Sequence, residues 1–173
     1  MISISFVTVI VSHDPKLDRF RLVLDRASKQ VDHIIIVDND SKSKGVVSNR
    51  DFVEVGFNSG VAHALRVGVN YTSKYKPDWL LFLDDDTVLM SDAVSRVLGL
   101  INNLPRHVLD RVGVVLLSSA DGDCSIGEVR YGIFSGTLIK ADIAVRVCCR
   151  DDLFLDQADY DMYSRIRSLD ISR

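Results

Sequence analysis

The chain has 173 residues, 47% of them hydrophobic and 26% charged, with a formal net charge of −3. That length suits one domain with a core of its own, and that composition excludes a disordered chain. The slight acidity excludes a global basic field that would draw the protein to nucleic acid or anionic lipid.

The apolar start, Ile2 to Val11, lacks a basic leading region and is too short to span a bilayer. It runs into Ser12-His13-Asp14-Pro15, so a buried first strand over Phe6 to Val11 is expected. Leu17, Phe20, Leu24 and Ala27 then recur at helical spacing. His33 to Asp38 is a second, β-branched strand, and Asn39-Asp40-Ser41 a turn. A weaker strand covers Phe52 to Phe57, Asn58-Ser59-Gly60 punctuates it, and Val61 to Tyr71 reads as a helix. Pro77 and Asp78 separate that helix from Trp79 to Leu83, a short apolar strand that feeds into Asp84-Asp85-Asp86-Thr87. Ser91 is expected to cap a helix running through Asn102, with Val94, Val97, Leu98 and Ile101 on one face.

Val112 to Leu117 is another strand and Asp121-Gly122-Asp123 a loop. Ile133 to Lys140 reads as a strand interrupted at Gly136, and the last helix runs from about Asp156 to Ser168. Strands as continuous apolar runs, separated by helices, predict an α/β domain: a mainly parallel sheet with helices on both faces. No linker or repeat divides the chain, and no stretch is long and apolar enough to cross a membrane. Cys124, Cys148 and Cys149 form no CxxC pair and are odd in number, so reduced thiols are expected. His13, His33, His63 and His107 are scattered, which argues against zinc.

In open parallel sheets, ligands sit beyond the carboxyl ends of the strands. The polar residues gather at those ends: Ser12-His13-Asp14, Asp38-Asn39, Asn58-Ser59-Gly60 and the aspartate triplet. Three successive carboxylates repel one another, and a hard divalent cation would relieve them while completing its shell with substrate phosphates and water. Asp84 and Asp86 are two apart and would share one side of an extended backbone, with Asp85 opposite. The plainer alternative is a solvated acidic turn capping the next helix. Asp38-Asn39 could read a base or ribose, or simply form a turn. Gly60, at a helix start, would let backbone amides approach a phosphate or sugar. Asp161 and Arg165 form an i, i+4 ion pair on an exposed helix, whereas Asp159 at its start could serve as a general base.

Six fragments in order carry a family resemblance: VTVIVSHDP (Val7 to Pro15), IIIVDNDS (Ile34 to Ser41), NSGVAHAL (Asn58 to Leu65), LLFLDDDT (Leu80 to Thr87), FSGTLIK (Phe134 to Lys140) and FLDQADYDMYSR (Phe154 to Arg165). Together they resemble the inverting glycosyltransferases of family two, with the A-type nucleotide-sugar fold, and within them the rhamnosyltransferase-like and galactofuranosyltransferase-like members. The resemblance implies a sugar moved from a nucleoside-diphosphate donor, UDP- or dTDP-linked, to a saccharide or lipid-linked acceptor hydroxyl. It implies base contacts at His13 and Asp38 or Asn39, and donor contacts at Asn58, Gly60, Asp84, Asp85 and Gly136. A DXD motif at Asp84 and Asp86 would hold Mn2+ or Mg2+, and Asp159 would be the catalytic base with Arg165 as its partner.

Relatives of this kind often carry asparagine where Arg66 stands, and they continue past the base helix. The expectation is therefore one glycosyltransferase domain over 1–173 without the C-terminal acceptor-side segment, either minimal or completed by a partner subunit or second copy. A cytoplasmic location, peripheral to the inner membrane face, goes with that reading. Two rivals remain from the sequence: a haloacid-dehalogenase-like phosphatase using Asp84-x-Asp86, and a non-catalytic sugar-nucleotide-binding module.

Overall fold

A computed structural model of the chain describes residues 4–42, 51–117, 129–155 and 157–169. The predicted loop at Asp121-Gly122-Asp123, with Cys124 and Asp156, lies outside them. In chain order the elements are β1 (Phe6–Ser12), α1 (Leu17–Ser28), β2 (His33–Asp38), β3 (Asp51–Glu54), α2 (Val61–Tyr71), β4 (Trp79–Asp84), α3 (Ala93–Asn103), α4 (Arg106–Leu109), β5 (Val114–Leu116), β6 (Thr137–Lys140), α5 (Ala141–Val147) and α6 (Ala158–Ser168).

The strands form one sheet in the order β3-β2-β1-β4-β6-β5. The first four run parallel, while β6 is antiparallel to both β4 and β5. The period-2 alternation of side chains explains how both faces are covered. Val7, Val9, Val11, Ile35, Val37, Leu80 and Phe82 face one core, shared with α2, α5 and α6. Phe6, Ile10, Ile34, Ile36, Leu81 and Leu83 face the other, shared with α1 and α3. Because β1 and β2 are buried on both sides, they read as unbroken apolar runs, and their register is set residue by residue from Val7 opposite His33 to Ser12 opposite Asp38.

Several local expectations are corrected. The residue in the capping position of α3 is Asp92, not Ser91, and its side chain makes no capping bond. The Gln30 side chain does that work from α1's end, accepting the Val94 N–H at 3.1 Å. Helix α5 was not anticipated: its seven residues bury only Ile143, Ala144 and Val147, too few to announce a helical period. Cys148 and Cys149 are not free thiols but a disulfide between neighbours. Both are buried where the chain leaves α5.

Candidate functional site

The acidic triplet stands where β4 leaves the sheet, but it is not extended. The strand ends at Asp84 and the next residues turn, with Thr87 N–H donating to the Asp84 carbonyl at 3.3 Å. The expected alternation of Asp84 and Asp86 against Asp85 is therefore replaced by a turn that three separate elements grip. Asp85 is bound from β1, whose following residue His13 donates its backbone N–H to Oδ2 at 3.0 Å. Asp86 is bound from α1, where Arg19 Nε donates to its carbonyl at 2.8 Å. Asp84 N–H donates to Ser135 Oγ at 2.9 Å, and that hydroxyl donates to Thr87 Oγ1 at 2.8 Å.

Burial by the surrounding protein raises the Asp84 carboxyl above the usual carboxylate range, and repulsion from Asp86 and Asp85 adds to it; bonding by Ser135 opposes. Asp85 is also raised by burial, with the His13 amide acting against the shift. No basic side chain among the described residues offsets Asp84. Among the described residues, no group of three or more His, Cys, Asp or Glu is arranged to hold a metal by protein ligands alone. Neighbouring carboxylates on a fixed turn nevertheless suit a small hard cation such as Mg2+ or Mn2+, which keeps waters and takes substrate phosphates as further ligands.

The raised value of Asp84 carries a stability prediction. Folding favours its neutral form, so its stabilising contribution is complete below the unfolded-chain value of about 3.9 and is lost as pH rises through the higher folded value. Without metal, Asp84→Asn is expected to melt above the native protein at pH 7, with the gap closing as pH falls toward about 3.5. Melting curves at both pH values, with a chelator present, provide the check; equal melting at pH 7 would contradict the repulsion.

Beside the turn, β1 and β2 end level with one another. His13 is exposed, and its Nδ1 lies 2.6 Å from the Asn39 carbonyl. A carbonyl only accepts, so Nδ1 carries the hydrogen of this bond. Asp38 is buried, with both carboxylate oxygens 3.3 Å from the Ser41 N–H. Asn39 is also buried and occupied: its Oδ1 accepts from Ser59 N–H at 2.9 Å and Ser59 Oγ at 2.8 Å, and its amide donates to Asn58 Oδ1 at 3.1 Å.

The amides of Ser59, Gly60 and Val61, which lead into α2, are occupied as well. Gly60 N–H points to Asn58 Oδ1 at 3.3 Å, and Val61 N–H donates to the Phe154 carbonyl at 3.0 Å. The close approach that Gly60 permits is to the Phe154 backbone. The sequence could not reveal this, because Phe154 is far away along the chain. Nearby, Arg66 pairs with Asp151, tying α2 to the same crossing segment.

Helix α6 supplies the remaining candidate. Asp159 is half-buried in its first turn, where a negative charge meets the positive end of the helix dipole, and its Oδ1 accepts the Tyr160 N–H at 2.9 Å. Arg165 does not partner it. Its Nε donates to Asp161 at 2.8 Å, because residues four apart share a helix face, and Arg150 approaches Asp161 from the preceding loop at 3.8 Å. Asp159 instead acts on Tyr163, whose hydroxyl lies 2.8 Å from Thr137 Oγ1; burial raises that phenol, and the Asp159 charge contributes.

Gly136 adopts φ +84 and lies against β4, donating to the Phe82 carbonyl at 2.8 Å. A side chain there would press on the Leu117 carbonyl. Ser135, which the sequence reading passed over, and Thr137 flank it. The stretch Phe134–Thr137 thus touches both the acidic turn and α6. The signal was present in the fragment FSGT, but nothing local said which neighbours its hydroxyls would meet.

The profile of the family described as "Glycosyl transferase family 2" matches residues 8–115, which is more than half of the chain and includes the acidic turn. Among solved structures, the crystal structure of S. aureus TarS 1-349 matches with a TM-score of 0.66 at 12% identity, over 92% of this chain and 55% of that one. At that identity the likeness is one of fold. The chain spans little more than half the length of the TarS structure. No curated protein matches the chain.

Proposed function

The chain belongs to glycosyl transferase family 2, and from that premise we propose that it binds a nucleoside-diphosphate sugar at the carboxyl ends of β1, β2 and β4 and transfers the sugar, with inversion, to an acceptor hydroxyl. The observation that carries the reading is the fixed acidic turn: three elements hold Asp84, Asp85 and Asp86 in place while leaving Asp84 without a compensating cation.

Each residue then has a task in its own chemistry. Asp84 and Asp86 would hold Mg2+ or Mn2+, whose charge, when bound, stabilises the departing diphosphate. Asp85 locks the turn to β1. His13, exposed at the end of β1 and anchored through Nδ1 to the Asn39 carbonyl, is placed to meet the base. Asn39, Asn58 and Ser59 form the floor that keeps His13 and α2 in register, and Asp38 fixes the turn behind them. Gly136 lets its strand pass close to β4 on the sugar side. Asp159 removes the proton from the acceptor hydroxyl as its oxygen bonds to the anomeric carbon, while the bond from that carbon to the diphosphate oxygen breaks. The nucleoside diphosphate leaves with the bonding pair.

A rhamnosyl-type donor, a saccharide or lipid-linked acceptor and a cytoplasmic site of action go with this proposal. No helix among the described residues is long and apolar enough to cross a membrane. The whole chain as one transferase domain is part of the same reading.

The test is a thermal-shift series with UDP, dTDP and GDP, each with and without Mn2+. Stabilisation by UDP or dTDP that needs the metal and disappears in Asp86→Ala is the expected result. A chain unmoved by all three with the metal present would remove the proposal. Hydrolysis of an aryl phosphate lost in Asp84→Asn would instead favour phosphatase chemistry.

A further inference from the structure

One of the bonds that fix the acidic turn comes from a residue that lies 51 positions further along the chain. Ser135 is buried, and its hydroxyl both receives the Asp84 N–H at 2.9 Å and donates to Thr87 Oγ1 at 2.8 Å. It therefore bridges the first residue of the turn to the residue that closes it, since Thr87 N–H returns to the Asp84 carbonyl.

Ser135 is itself held firmly. On its C-terminal side, Gly136 is bonded on two sides, donating to the Phe82 carbonyl and accepting from Leu117 N–H, each at 2.8 Å. One residue further, Thr137 Oγ1 donates to the Ile133 carbonyl at 2.6 Å and meets the Tyr163 hydroxyl of α6. A side chain anchored in this way does not have to be ordered when a ligand arrives. The cost of assembling two repelling carboxylates into one geometry is then met on folding.

We infer that Ser135 is a positioning residue for a divalent cation, presetting Asp84 and, through Thr87, the turn that presents Asp86. The inference rests on the donor-site reading above and deepens it, because it says that the cation site is built before any nucleotide binds. Ser135 touches neither substrate nor metal in this role; it acts through the backbone of Asp84 and the hydroxyl of Thr87.

Electron paramagnetic resonance titration with Mn2+ tests this, first with the ion alone and then with UDP and with dTDP present. Native protein, Ser135→Ala and Ser135→Thr are compared, with circular dichroism and melting curves reporting on the fold. Ser135→Ala is expected to stay folded and to bind Mn2+ about tenfold more weakly, the loss typical when a group supporting a metal ligand is removed. Ser135→Thr keeps the hydroxyl and is expected to recover most of the affinity. The inference is overturned if Ser135→Ala binds Mn2+ as the native protein does, or if Ser135→Thr is as weak as Ser135→Ala. If the native chain holds no Mn2+ with either nucleotide, the donor reading itself falls and takes the inference with it.

Discussion

Asp159→Asn is expected to lower turnover by about 10²–10⁴-fold, the usual contribution of a positioned general base. The amide keeps the shape of the carboxylate, and its oxygen can still accept the Tyr160 N–H that Asp159 receives at 2.9 Å. Folding should therefore be little changed. What is lost is the ability to take a proton, since a carboxamide has no basic oxygen at neutral pH. Stabilisation by nucleoside diphosphate and Mn2+ should survive, because α6 supplies no part of the acidic turn. The neighbouring Asp161 gives a built-in contrast. Its bonds to Arg165 and its approach to Arg150 make it a fastening between α6 and the loop before it, so Asp161→Asn should lower the melting temperature before it lowers the rate. Initial rates with whichever donor the thermal-shift series selects decide the matter. An Asp159→Asn rate within tenfold of native would remove the assignment.

A second large effect is expected from one methyl group. Gly60 lies at φ 81 and ψ 162, a region essentially confined to glycine. A Cβ there would overlap the carbonyl, carbon and Cα of Phe154, and that carbonyl is the acceptor for Val61 N–H. Gly60→Ala thus combines a forbidden backbone conformation with the loss of the contact that fastens the crossing segment to α2. Together these should cost about 2–4 kcal/mol, a fall in Tm of roughly 10 °C for a chain of this size. The segment displaced is the one that leads into α6, so activity should fall further than stability alone explains. Gly99→Ala is the control: the site is exposed and helical, with nothing within 4 Å, and alanine should stabilise it slightly. A Gly60→Ala protein that melts within about two degrees of native would refute the account.

Much of the fold was legible in the sequence because buried parallel strands leave an unmistakable composition. Runs such as HIIIVD and WLLFLD can hardly be anything else, and the polar residues that end them fall at the edge where open sheets bind ligands. The place of the acidic triplet at a strand end, of His13 at another, and the ion pair from Asp161 to Arg165 follow from spacing and chemistry that neighbouring residues carry. The roles of Asn39, Gly60 and Ser135 did not follow. Nothing local announced that Asn39 would bond Ser59 and Asn58, or that Gly60 would pass against the Phe154 backbone. Ser135 looks like filler until the antiparallel placement of β6 beside β4 sets it against Asp84.

The sequence by itself determined the layers of the fold, the strand ends and which side chains could do chemistry there, since periodicity and composition are local properties. Only the tertiary structure decided which of those groups are already satisfied by distant partners and which, like the Asp84 carboxylate, are left to meet something else. A hydrogen bond is made in space between residues whose separation along the chain carries no trace of it.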